Sequence, residues 1–284
     1  MLNVLKAIIY GIVEGITEWL PISSTGHMIL LNAFLKMEVS EEFWDVFLVV
    51  IQLGAILAVI VLYFWRLWPF GIRRDHKKKR SAITVKPKII GLWVLILIAC
   101  LPAAVVGILF DDAIDAVFYN PICVAIALIV FGVAFLVIEI RNRGRKPSIR
   151  HLEEIDFKYA LIIGLFQLIA AVFPGTSRSG ATILGALLIG VERGIATEFT
   201  FFLAVPVMAG ASLLKVVKFL AHGTAFTGAE ISLLAVGMIV AFAVSILVIR
   251  LFMNYIRKHD FKPFGWYRIV LGTLVLILFA AGVL

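Results

Sequence analysis

Two apolar stretches of this chain are each broken by a short polar turn, and these turns decide the fold. Residues 157–191 read FKYALIIGLFQLIAAVFPGTSRSGATILGALLIGV, with the turn PGTSRSG at residues 174–180. Residues 4–35 are broken in the same way by PISSTG at residues 21–26. Each half is too short to cross a bilayer comfortably, because a spanning helix needs about 20 residues. The pattern predicts two helical hairpins that enter the membrane and turn back.

The remaining sequence predicts an all-α polytopic membrane protein. Hydrophobic residues make up 62% of the 284 residues and charged residues only 15%, whereas soluble domains have about 45–50% and about 25%. We expect a single membrane domain, residues 1–284, with six full transmembrane spans and the two re-entrant hairpins. The six spans are predicted at 43–65, 89–110, 118–140, 199–220, 231–253 and 267–284.

Basic residues cluster in three loops, and these clusters predict the orientation. Nine of the 26 lysines and arginines fall in residues 66–88, and further clusters lie in 141–158 and 254–268. Short basic loops stay on the cytoplasmic side, so we expect these three inside and the acidic loop 111–116 outside. The two hairpins then enter from opposite faces. The basic residues behind the net charge of +8 lie mostly in these short loops, which is the pattern of cytoplasmic loops. Nucleic acid is therefore not expected as a partner.

The two halves of the chain resemble each other when one is shifted by 153 residues. Combined with the charge pattern, this predicts an inverted-topology repeat with halves 1–140 and 141–284. Transporters and related proteins of this design carry their sites at the repeat interface, on broken helices. The matched pairs are Gly11 with Gly164, Glu14 with Gln167, Pro21 with Pro174, Ser23 with Thr176, and Ser24 with Ser177.

Four ionisable residues lie close to the two turns of the broken stretches, where charge is costly and marks a functional site by default. Glu14 and Glu18 are four residues apart and share one helix face. His27 follows the first turn, and Arg178 lies in the centre of the second. An arginine at that depth needs a carboxylate or an anionic ligand. Two carboxylates could bind a divalent cation that bridges them to a phosphate.

The hydroxyl groups of both turns complete a site suited to phosphoryl transfer. We expect Ser24 to attack phosphorus, with His27 three residues later as its base; attack by His27 itself is the alternative. The other hydroxyls are expected to bind substrate together with Arg178, and a site inside the bilayer indicates a substrate with a lipid tail. These predicted substrate-binding residues are Ser23, Thr25, Thr176, Ser177 and Ser179.

The two turns resemble the signatures of the bacterial undecaprenyl-diphosphate phosphatases, a family also called the bacitracin-resistance proteins. The first signature is EGITEWLPISSTGH at residues 14–27, and the second is PGTSRSGAT at residues 174–182. The resemblance covers essentially the whole chain. It implies hydrolysis of undecaprenyl diphosphate to the monophosphate carrier lipid, aided by Mg²⁺ or Ca²⁺. The family's functional positions fall on Glu14, Glu18, Ser23, Ser24, Thr25, His27, Ser177 and Arg178.

The resemblance also implies a place and partners. We expect a bacterial inner-membrane protein whose active site opens to the outer face. The enzyme would recycle carrier lipid for cell-wall synthesis. Its partners are the prenyl diphosphate substrate and membrane lipids, and a homodimer is the assembly to test. A lipid-phosphate transporter is the alternative function, because inverted repeats and broken helices also serve transport.

Overall fold

The structure, a computed structural model, describes residues 2–75, 80–221 and 225–284. Almost all regular structure in these residues is helical, which confirms the predicted fold class. A short 3₁₀ turn is formed by Leu152–Glu154. In chain order the helices are α1 (Leu2–Thr17), α2 (Ser24–Leu35), α3 (Glu41–Leu62), α4 (Phe64–Leu67), α5 (Pro87–Phe118), α6 (Pro121–Arg141), α7 (Phe157–Val172), α8 (Arg178–Leu188), α9 (Arg193–Ala221), α10 (Gly228–Ile256) and α11 (Lys262–Ala280).

Six of the described helices are long and apolar enough to cross a membrane: α3, α5, α6, α9, α10 and α11. They confirm the six predicted spans, although the boundaries differ by a few residues, and most at the end of α5 and at the starts of α9 and α11. Helix α5 continues to Phe118, so residues 111–116 are helical and the predicted loop there is wrong. That segment holds no Pro or Gly to end the helix. Helix α11 begins at Lys262, so Arg268 lies inside the bundle and not in a basic loop.

Part of the basic segment 66–88 forms a β-hairpin that the sequence analysis did not predict. Strand β1 (Phe70–Asp75) pairs antiparallel with β2 (Arg80–Val85), with Phe70 opposite Val85. The segment was interpreted from its charge alone, which says nothing about strand pairing. Residues 76–79, which include three of the basic residues of this predicted loop, lie outside the described part of the chain.

The two broken stretches form the helix pairs α1–α2 and α7–α8, and their turns share an unusual backbone. Ser23 and Ser177 have φ of 72° and 70°, a left-handed conformation that costs a non-glycine residue about 1–3 kcal/mol. Each caps the following helix, because its Oγ accepts from the amide three residues on, at 3.3 Å and 3.2 Å. Ser23 therefore corresponds to Ser177, and the predicted pairing of Ser24 with Ser177 was one residue off.

Each helix pair packs on a long helix from the other half of the chain. Helix α1 lies against α10, and α7 lies against α5. Glycines allow this close approach: a Cβ added to Gly11 would lie 2.6 Å from the Gly237 carbonyl, and one on Gly164 2.5 Å from the Ala99 carbonyl. This packing brings the two turns together. The depth to which the two helix pairs enter a bilayer stays a prediction. The division of the chain into repeats at residue 140 stays one too.

Candidate active site

An ion pair joins the two turns. Arg178, the first residue of α8, places Nη2 3.0 Å from Oε1 of Glu18, which directly follows the end of α1. The second carboxylate oxygen, Oε2, accepts a hydrogen bond of 2.9 Å from Ser24 Oγ. Arg178 also donates through Nη1 to the Thr200 carbonyl at 3.0 Å. Three of the predicted site residues therefore form one hydrogen-bonded chain, although Glu18 and Arg178 are 160 residues apart in sequence.

This chain of side chains is held in a mostly buried place. The Glu18 side chain is 8% exposed and that of Arg178 is 13% exposed, so solvent screens their attraction less than at a surface. Arg178 uses two N–H groups for Glu18 and Thr200, and an arginine carries five. Donors therefore remain on Arg178 for an anionic ligand.

Ser179 of the second turn forms hydrogen bonds with the backbone of the first. Its Oγ lies 3.1 Å from the Glu18 carbonyl and 3.3 Å from the Leu20 carbonyl. The same hydroxyl is 3.1 Å from Ser177 Oγ, which already accepts the Gly180 amide. These two predicted substrate-binding hydroxyls are thus engaged within the protein and hold the turns in register.

Arg268 of α11 donates hydrogen bonds to the backbone of both turns. It is fully buried and donates to the Pro21 carbonyl at 3.2 Å, in the first turn. Its Nη2 donates to the Gly175 carbonyl at 3.0 Å and the Thr176 carbonyl at 2.7 Å, in the second turn. A buried guanidinium satisfied by carbonyl oxygens leaves a positive charge beneath the site that no carboxylate neutralises among the described residues.

His27 has partners other than the one predicted for it. Its Nδ1 is 2.7 Å from the Ser23 carbonyl and its Nε2 is 2.7 Å from the Tyr267 hydroxyl. The Tyr267 ring stacks on the imidazole with 5.6 Å between centroids and 6° between planes. The predicted hydrogen bond from Ser24 to His27 is therefore not formed, and Glu18 takes that place. The positive φ of Ser23 starts α2 so that Ser24 faces Glu18 while His27 faces α11.

A cavity of about 380 Å³ opens beside Ser24. Glu14, Ser24 and Thr25 are the predicted site residues that face it. The other polar residues of the lining, Asp45, Gln52, Tyr119 and Lys215, were not predicted as site residues. The lining consists of Glu14, Ser24, Thr25, Met28, Asp45, Leu48, Val49, Gln52, Tyr119 and Lys215.

Glu14 of this cavity and the neighbouring Glu18 fit a divalent cation. Glu14 Oε1 is buried without a hydrogen-bond partner in the described structure, and Glu18 follows one turn later, its amide 3.0 Å from the Glu14 carbonyl. A buried carboxylate oxygen beside a second carboxylate needs a proton or a cation. Magnesium is commonly held by one or two carboxylates with phosphate and water as its other ligands. No group of three His, Cys, Asp or Glu side chains among the described residues forms a complete protein cage.

Several residues of this region were not predicted from the sequence, although two of them could have been recognised by their charge. Asp45 and Arg268 place charge inside the predicted spans 43–65 and 267–284, the same criterion that selected Glu14. Tyr267 carried no such signal, since a tyrosine near a helix end is common in membrane proteins. Of the predicted residues, Thr176 is buried with an unpartnered Oγ1 in the described structure.

Comparison with known proteins identifies a family. Residues 7–274 match the family model described as bacitracin resistance protein BacA. Undecaprenyl-diphosphatase 1 of Clostridium acetobutylicum is 58% identical over 278 residues, which cover 98% of both chains. Undecaprenyl-diphosphatase of Desulfitobacterium hafniense is 55% identical over 99% of this chain and 98% of its own. That of Enterococcus faecalis is 54% identical over 96% of each.

Proposed function

Because this chain belongs to the bacitracin resistance protein BacA family, we propose that it hydrolyses undecaprenyl diphosphate to undecaprenyl phosphate and inorganic phosphate. Relatives that share more than half of its residues over nearly the whole length are named undecaprenyl-diphosphatases. The reaction returns carrier lipid for cell-wall synthesis. Nothing in the relatives' names supports the transporter alternative.

The hydrogen bond from Ser24 to Glu18 is the observation that carries the proposed chemistry. A serine hydroxyl attacks well only when a base within hydrogen-bond reach takes its proton, and Glu18 Oε2 is 2.9 Å from Ser24 Oγ. In the proposed reaction Ser24 Oγ bonds to the terminal phosphorus while its proton passes to Glu18. The P–O bond to undecaprenyl phosphate breaks. Water then hydrolyses the phosphoserine, which releases inorganic phosphate and restores the hydroxyl.

Arg178 is the group proposed to stabilise charge on the transferred phosphoryl group. Guanidinium forks match phosphate oxygens geometrically, and Arg178 keeps unused donors beside Ser24's partner Glu18. The uncompensated charge of Arg268 adds to the attraction for an anion. When bound, a divalent cation held by Glu14 and Glu18 would neutralise negative charge on the diphosphate.

The proposed location follows the charge pattern. The cavity residues Tyr119 and Lys215 lie near helix ends that this pattern places outside. We therefore propose an inner-membrane enzyme whose cavity opens towards the outer face, where a lipid substrate can enter from the bilayer. The homodimer stays a prediction.

Phosphate release in detergent tests this function, since transport has no meaning without a sealed membrane. The purified chain is expected to release inorganic phosphate from undecaprenyl diphosphate, and Ser24→Ala is expected to abolish release. Ser232→Ala is the matched control, because its exposed hydroxyl donates to the Gly228 carbonyl in the first turns of α10, outside the cavity lining. A Ser24→Ala protein as active as the Ser232→Ala protein would refute the proposed chemistry.

A further inference from the structure

A second charged cavity lies at the other end of the bundle, where α6 and α8 end and α9 begins. Its volume is about 370 Å³, and we call it the basic cavity. It lies at the end that carries the basic loops, which the charge pattern places in the cytoplasm. Its lining consists of Glu139, Arg141, Asn142, Arg145, Lys146, Pro147, Ser148, Leu187, Leu188, Ile189, Gly190, Val191, Glu192 and Arg193.

The floor of the basic cavity is an internally satisfied ion pair. Glu139 is 2% exposed and binds Arg193 through both of its carboxylate oxygens. Glu139 also accepts the Phe261 amide at 3.1 Å. The second acidic residue of the lining, Glu192, accepts the Ile195 amide at 3.0 Å. Glu139 therefore uses both of its carboxylate oxygens within the protein, and Glu192 uses one.

The rim of the basic cavity carries three cations without such partners. The side chains of Arg141, Arg145 and Lys146 make no ion pair or hydrogen bond in the described part of the chain. With Arg193 they give the lining four positive charges against the two carboxylates. An anion placed between these three exposed cations would be attracted by all of them, most strongly at low ionic strength.

The loops around the basic cavity are fixed by backbone hydrogen bonds. The Ser148 amide donates to the Gly190 carbonyl at 2.8 Å, and the Glu192 amide donates to the Ile149 carbonyl at 2.9 Å. Farther along the same loop, the Arg150 and His151 amides donate to Glu154 at 2.8 Å and 3.2 Å. These two bonds hold the pKa of Glu154 below its ordinary value. The cavity is thus formed by a preorganised pair of loops.

Apolar surface adjoins the cations and points to a lipid over a free anion. Leu188 lines the cavity and is 41% exposed. On α6, in the turn that leads to Arg141, Val137 and Ile140 are 58% and 65% exposed. A basic pocket between membrane helices on the cytoplasmic side, beside a lipid-facing helix surface, suits an anionic headgroup whose acyl chains follow that surface. We propose that the basic cavity binds the phosphate headgroup of an anionic phospholipid.

The test titrates the full-length chain, purified in detergent and stripped of lipid, with phosphatidylglycerol, phosphatidylcholine or inorganic phosphate. Binding is followed by native mass spectrometry and by the rise in unfolding temperature. The cavity variant is Arg141→Gln, Arg145→Gln, Lys146→Gln. The control variant Arg143→Gln, Lys158→Gln, Lys258→Gln removes the same charge from exposed positions at the same end of the bundle, outside the cavity lining.

We expect the cavity variant to bind phosphatidylglycerol about a hundredfold more weakly, since each cation near a membrane surface contributes about fivefold. The control variant is expected to bind within about twofold of the unmodified chain. Lys146→Gln alone, on an exposed loop, is expected to weaken binding about fivefold and keeps the test valid if the triple variant folds poorly. Equal losses in both triple variants, or equal binding of phosphatidylcholine, would overturn the proposal. Cavity-dependent binding of inorganic phosphate as tight as that of the lipid would overturn the choice of a lipid.

Discussion

Arg178 and Glu18 meet at 3.0 Å across the two turns, and neither turn holds a complete site without the other. The first turn supplies the hydroxyl of Ser24 and the carboxylate that binds it. The second supplies the guanidinium that orients this carboxylate. The ion pair therefore links the chemistry to the way in which the two halves of the chain pack.

Replacing Arg178 by Lys tests the guanidinium fork. Lysine keeps the charge but lacks the planar fork whose two Nη atoms reach Glu18 and the Thr200 carbonyl and can bind phosphate in a bidentate way, so we expect kcat/KM to fall by about 10–100-fold. Steady-state phosphate release measures this. The control is Arg66→Lys, because Arg66 pairs with the buried Glu198 outside the proposed site. Similar kcat/KM values for the two variants would remove Arg178 from the reaction.

Replacing Glu18 by Gln tests the proton acceptor. The amide keeps the shape of the side chain but cannot take the Ser24 proton, and loss of such a base costs about 10²–10⁴-fold in rate. The residual rate of Glu18→Gln is expected to rise with pH, because hydroxide replaces the lost base. A pH–rate profile checks this. A residual rate that stays flat between pH 6 and 9 would assign Glu18 a purely structural role.

Replacing Arg268 by Met tests the contact between the turns. The carbonyls of Pro21, Gly175 and Thr176 would lose their donor, and buried groups left unpaired cost about 1–3 kcal/mol each. We expect the free energy of unfolding to fall by about 2–4 kcal/mol, seen as a lower unfolding temperature. Arg250→Met, at an exposed position of α10, is the control. An unchanged unfolding temperature for Arg268→Met would contradict the described contacts.

Removing divalent cations tests the role of Glu14. Chelation is expected to abolish phosphate release, and added Mg²⁺ or Ca²⁺ to restore it. Glu14→Gln is expected to raise the concentration of cation needed for half-maximal rate by at least about tenfold. Glu153→Gln, an exposed carboxylate away from the cavity, is expected to leave it unchanged. Full activity in the presence of a chelator would exclude the cation.

Much of the fold follows from patterns that the bilayer imposes. Spans such as 43–65 were predictable because apolar length is nearly sufficient in a membrane, and the broken stretches because polar turns interrupt them. The β-hairpin of β1 and β2 was not predictable in this way, since the many charged residues of the segment hid any alternation of polar and apolar residues. The segment 111–116 continues a helix because acidic residues alone do not end one.

The residues of the site were predictable only in part, because the type of a residue does not specify which other residues it contacts. Ser24, Glu18 and Arg178 stood out as polar groups in apolar surroundings, and the structure brings them together. Their partners depend on tertiary packing: Tyr267 reaches His27 from 240 residues away. Arg268 was interpreted as a loop charge because it stands at the edge of an apolar run.

The nucleophile is the central claim, and trapping the covalent intermediate tests it most directly. The purified chain is mixed with undecaprenyl diphosphate labelled in its terminal phosphate, quenched within milliseconds and digested for mass spectrometry. The account predicts acid-stable label on Ser24, and about 10²–10⁴-fold slower labelling of Ser24 in Glu18→Gln, where the base that takes the serine proton is lost. Acid-labile label on His27, with Ser24→Ala still active, would contradict it.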